Sequence, residues 1–150
     1  MKLILAAALV ALTSAAQAQT VTTCERWEAN ARNLAEPWED NTRTFANGNI
    51  RLAVVDTIEP AAGSFHLLIL SPPLGVLGDP QCRMISNDST GFTSIDFGSL
   101  TAGYDPQTGL GLDMFVRVYN PNTADFDGKG LGLTINQATG AIGANLYPND

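Results

Sequence analysis

The chain has 150 residues, 15 of them acidic and 8 basic, for a formal net charge of −7 at pH 7. That balance repels phosphate backbones and anionic surfaces, so nucleic acid is excluded as an expected partner. With 45% hydrophobic residues and only two cysteines, the composition is that of a folded chain with one possible disulfide.

The chain opens "MKLILAAALVALTSAAQAQT". Lys2 precedes an apolar run from Leu3 to Leu12, and small residues then lead to "AQA". This is the three-part layout of a secretory signal peptide over residues 1–18, with cleavage expected between Ala18 and Gln19. The run is too short to cross a bilayer, so no membrane span is expected. Residues 19–150 are expected to form a single β-rich domain in the periplasm or outside the cell. In that compartment Cys24 and Cys82 are expected to be paired; no C-x-x-C spacing supports a redox or metal role.

"TTCERWEANARNLAEPWED" predicts a helix. Thr22 and Glu25 have capping-box spacing, and Cys24, Trp27, Ala31 and Leu34 recur at intervals of three and four. Pro37 should end it. From residue 41 onward the pattern is that of strands. Asn47-Gly48 is a strong hairpin signal between two β-prone runs. "SFHLLIL" is an apolar run between Gly63 and Pro72-Pro73, with Phe65, Leu67 and Ile69 expected to face the core. His66, the sole histidine, shares the other face with Leu68 and Leu70 and is expected to be partly covered. "LGLDMFVRVY" alternates, with Leu110, Leu112, Met114, Val116 and Val118 on one face, and Leu131, Leu133, Ile135, Ile142, Ala144 and Leu146 continue that pattern. Short loops between these runs predict an antiparallel meander from about residue 92 to 146. The expected fold is mainly β (α+β): an N-terminal helix packed on an antiparallel β-meander, sandwich or partly closed barrel.

Several residue sets carry chemistry worth weighing. Ser64, His66 and an acid such as Asp56 or Asp96 supply the types of a hydrolytic triad, but no G-x-S-x-G elbow exposes a serine. Glu36, Glu39 and Asp40, and separately Asp56 and Glu59, pair carboxylates as a glycosidase would. Asn120, Asn122, Asp125 and Asp127 in "YNPNTADFDGKG" offer oxygen ligands, yet the loop lacks the closing glutamate of a calcium-binding EF-hand and serves equally as a turn. "GLGLD" is no phosphate-cradling loop, so no cofactor is expected. Trp38, Tyr104, Phe126, Tyr147 and the loop "SPPLGVLGDP" are aromatic or apolar groups near element ends that would make a recognition patch if exposed together.

The signal-like start, "CERWEANARNLAEPWEDNTRTFANG", "DTIEPAAGSFHLLILSPP" and "INQATGAI" together resemble small exported proteins of alphaproteobacteria. The resemblance implies a Gram-negative periplasmic address and carries no activity or site residue. The leading expectation is a non-enzymatic protein that binds a partner protein or small ligand. An envelope hydrolase using carboxylates or His66 is the second, and an apolar-ligand carrier with a barrel cavity the third.

Overall fold

The computed structural model describes residues 19–88 and 90–149; the expected signal segment, 1–18, lies outside the described residues. Among the described residues, nine strands form two antiparallel sheets. The first contains β1 (Thr20–Thr23), β2 (Thr42–Phe45), β3 (Ile50–Asp56), β4 (Phe65–Leu74) and β5 (Pro80–Ser86), in the order β1-β5-β4-β3-β2. The second is the expected meander: β6 (Ser94–Asp105), β7 (Gly109–Asn120), β8 (Asp125–Ile135) and β9 (Ile142–Pro148), in sequence order.

The sheets share one core. Ile50, Leu52 and Val54 of β3, Leu67 and Ile69 of β4 and Ile85 of β5 pack with Leu110 to Val118 of β7 and Leu131 to Ile135 of β8. Strict alternation along β7 puts every second side chain in this layer, and each aliphatic side chain so buried contributes about 1.5–3 kcal/mol. Ile142, Ala144 and Leu146 border the core, partly buried. A hydrogen bond from Gln19 N–H to the Ala144 carbonyl (3.2 Å) joins the start of β1 to β9, so the two sheets meet along that edge. The space between the sheets is filled by the side chains of this core.

Asn47 and Gly48 take positive φ, 55° and 86°, and turn β2 into β3 as their identities predict. Gly109 is required by close approach as well as by its φ of 93°: a Cβ there would overlap the Ile135 carbonyl.

The helix expected from Thr22 to the residue before Pro37 is not present. Its first residues are strand β1, laid along β5 with Thr20 opposite Ser86 and Thr23 opposite Arg83. Val21, Thr22 and Thr23 are β-branched, and the open edge of β5 satisfies their backbone groups where the capping box would have satisfied only a helix start. Beyond Cys24 the chain makes two 3-10 turns, Trp27–Ala29 and Ala31–Asn33, separated by an extended Asn30. Side chains replace the helical ladder: Asn30 accepts from Arg32 N–H (3.1 Å), and Asn33 donates to the Trp27 and Glu28 carbonyls (3.1 Å each). A single α-helical turn, α1 (Trp38–Asn41), follows Pro37.

Candidate functional site: an apolar groove under the N-terminal strap

Residues 24–35 form a strap over the outer face of the first sheet. One end is fixed by the Cys24–Cys82 disulfide to β5. The other is fixed to β3, where Leu34 bridges Val55 and Ala35 N–H donates to the Val54 carbonyl (2.9 Å). The strap must therefore pass over β4, which lies between β5 and β3. Its presence explains why this outer face is apolar: Ala53, Val55 and Met84 are buried on it although they point away from the core.

A groove of about 480 Å³ remains between the strap and β2. Ala53, Leu68, Leu70 and Cys82 form its floor, the strap supplies Ala29, Ala31 and Leu34, and Trp38 of α1 with Thr42 and Thr44 of β2 closes the opposite side. The floor follows from register: Ala53 lies opposite Leu68, and Arg51 opposite Leu70, which lies opposite Cys82. Two arginines border it with different fates. Arg43 donates to the Glu39 and Asp40 carbonyls (3.0 and 3.2 Å) at the end of α1 and stands 5.4 Å over the Phe97 ring. Arg51 is exposed and has no hydrogen-bond or ion-pair partner among the described residues.

His66 lies on the same outer face, opposite Val55 of β3, where the charges of Arg26 and Glu28 in the strap act on it. It is 7% exposed, and its Nδ1 is 2.8 Å from Ser86 Oγ. Burial holds its pKa below the ordinary histidine value, with Arg26 adding to the effect while Glu28 and Asp56 oppose it. Burial alone would push the Glu28 carboxyl up. Hydrogen bonds from Arg26 (2.7 and 3.2 Å) and from its own backbone, with the charges of Arg26 and His66, outweigh that and hold it below the usual range. Both Glu28 oxygens are engaged by Arg26, so this carboxylate is not free to orient the imidazole as a triad acid would. The serine beside His66 is Ser86 and not Ser64, which is buried and whose carbonyl accepts from Thr57.

The aromatic set foreseen as a recognition patch is dispersed. Trp38, 52% exposed, lines the groove. Tyr104 lies opposite Leu110 and Phe126 opposite Tyr119, at the two ends of β7, roughly 30 Å apart at 3.3 Å per residue. Phe126 packs on Tyr119 with ring centroids 5.7 Å apart. Tyr147 donates to Asp113 Oδ1 (3.0 Å); burial, that bond and the Asp113 charge raise its pKa. In the β7–β8 turn, Asn120 donates to Asp127 (3.1 Å) and accepts from Asn122 N–H (3.0 Å), while Asp125 accepts from Phe126 N–H (2.8 Å). Lys129 stands 3.9 Å from Asp127. These oxygens shape the hairpin, and no group of three metal-ligating side chains occurs among the described residues. Asp56 and Glu59 are likewise engaged by backbone N–H groups of Ile58 and Ala61. Glu36, Glu39 and Asp40 are exposed around α1.

Sequence reasoning did not find the groove, because its walls come from Leu34, Trp38, Leu68 and Cys82, which only the fold brings together. The signal that could have exposed it is β4 itself: Leu68 and Leu70 are apolar on the face opposite Leu67 and Ile69, a strand apolar on both sides, which implies cover on both. Comparison with known protein families, curated proteins and solved structures finds no match to this chain. Function is therefore read from the groove.

Proposed function

We propose that the protein is an exported, non-enzymatic binding protein whose groove holds an apolar chain bearing one acidic group. The observation that carries this reading is the groove itself: about 480 Å³, lined mostly by aliphatic side chains, and walled on one side by a strap fixed at both ends. Ligand sites commonly enclose about 300–1,000 Å³ with apolar walls and a few placed polar groups. Arg51 is the placed polar group, since Arg43 is engaged by backbone carbonyls and Arg51 is not. The disulfide fits an oxidising compartment outside the cytoplasm, where the signal-like start would deliver the chain. No helix among the described residues is long and apolar enough to cross a membrane.

Calorimetric titration with dodecanoate and with dodecanol, both below micelle formation, tests the reading. The acid should bind and the alcohol bind more weakly. Arg51→Ala should bring the acid down to the affinity of the alcohol. Ala31→Phe, placed in the exposed wall of the groove, should abolish binding of both. Absence of binding by either amphiphile, or binding that Ala31→Phe leaves untouched, contradicts it.

A further inference from the structure

The β4–β5 hairpin ends in "PPLGVLGDP", and its turn is ordered: Gly75 N–H donates to the Asp79 carbonyl (2.6 Å) and Gly78 N–H to the Gly75 carbonyl (3.0 Å). It nevertheless holds its aliphatic side chains away from the protein, with Leu74 61%, Val76 105% and Leu77 94% exposed. Nothing in the fold uses these side chains. Leaving three large aliphatics in water has a persistent cost that burial against apolar surface would remove.

The same molecule carries a receptor of matching chemistry. The groove is apolar and bordered by the unpartnered cation Arg51; the tip is apolar and bordered by Asp79, whose carboxylate has no hydrogen-bond or ion-pair partner among the described residues. Both features belong to one hairpin, since Leu70 and Cys82 pair on the groove floor and Leu74 and Pro80 pair at the base of the tip. Two copies related by a two-fold axis, hairpins antiparallel, would each place a tip over the other's groove. Such an exchange makes the contact twice and closes at two copies, where a head-to-tail contact would continue into a filament.

We infer that the tip Leu74–Leu77 of a second copy of this chain occupies the groove, with Asp79 of one copy facing Arg51 of the other. The inference rests on the groove being an apolar binding site, and it makes self-association and ligand binding mutually exclusive. The protein is then a dimer when empty and a monomer when loaded.

Sedimentation velocity on the oxidised protein, from micromolar to millimolar concentration, reads this directly. A dimer fraction that rises with concentration and falls on adding dodecanoate is the expected result. Val76→Ser with Leu77→Ser lies outside the groove and should keep the parent's fold by circular dichroism and bind dodecanoate at least as tightly as the parent, while raising the dimer dissociation constant roughly a hundredfold. Arg51→Asp should weaken the dimer, and adding Asp79→Arg should restore it. A monomer at every concentration, a dimer indifferent to the serine pair, or a tip that binds phosphatidylcholine vesicles in place of a second copy overturns the inference. Dimerisation without any dodecanoate binding would instead leave the tip-in-groove contact standing and remove the reading of the groove as a fatty-acid site.

Discussion

Cys24 and Cys82 are bonded with their Cα atoms 5.4 Å apart, and the bond fastens the strap to the groove floor, where Cys82 is itself a lining residue. Stability and binding are thus tied to one covalent link. Cys24→Ser with Cys82→Ser frees a loop of 58 residues, for which chain entropy gives about 4 kcal/mol of lost stability. Urea unfolding should show that loss, and dodecanoate affinity should fall with it because Cys82 no longer pins the start of the strap to the groove floor, leaving that end held only through the pairing of β1 with β5. A double variant as stable as the parent would show that the strap is held by other contacts.

Stability should decline as pH falls below 6.5, the ordinary histidine value. His66 is held below that value in the folded state, so the unfolded chain takes up its proton first. The contribution is complete above pH 6.5 and is lost as pH drops through the folded value. Glu28, also lowered, adds a second loss below its ordinary 4.5. Urea midpoints measured across this range should show two declines in the parent. His66→Gln should retain only the lower one, and an unchanged upper decline in that variant would place its origin elsewhere.

Gly130→Ala should destabilise by about 1–3 kcal/mol, the usual penalty for forcing volume into a packed position. A Cβ on Gly130 would overlap the Tyr147 ring, which lies across it on the outer face of the second sheet and bonds Asp113. Combining Gly130→Ala with Tyr147→Ala removes the ring and should recover part of the loss. Thermal melts that show simple additivity for the pair would mean the ring does not sit there.

The second sheet was legible because its two central strands, β7 and β8, each bury one face. Leu110 to Val118 and Leu131 to Ile135 alternate with a period of two, and a one-residue slip would turn the whole set to solvent. Asn47-Gly48 was legible for a local reason, since both residues tolerate positive φ. The strap was misread because Cys24, Trp27, Ala31 and Leu34 have helical spacing. That spacing is only a preference, and the open edge of β5 together with Asn30 and Asn33 bonding to nearby backbone offered the chain a better alternative. The site was hidden for a different reason. Trp38 was singled out from its own neighbourhood, but its partners Leu68, Leu70 and Cys82 are distant in the chain, and no local pattern places them beside it.

Amide chemical shifts followed during titration with dodecanoate locate the bound ligand residue by residue. Changes should be confined to residues 29–34, 38–44, 51–53, 68–70 and 82, saturating together with one affinity, while Tyr104 and the 120–127 turn stay unmoved. Changes centred on the second sheet, or none below micelle formation, would contradict the assignment of the strap groove as the binding site.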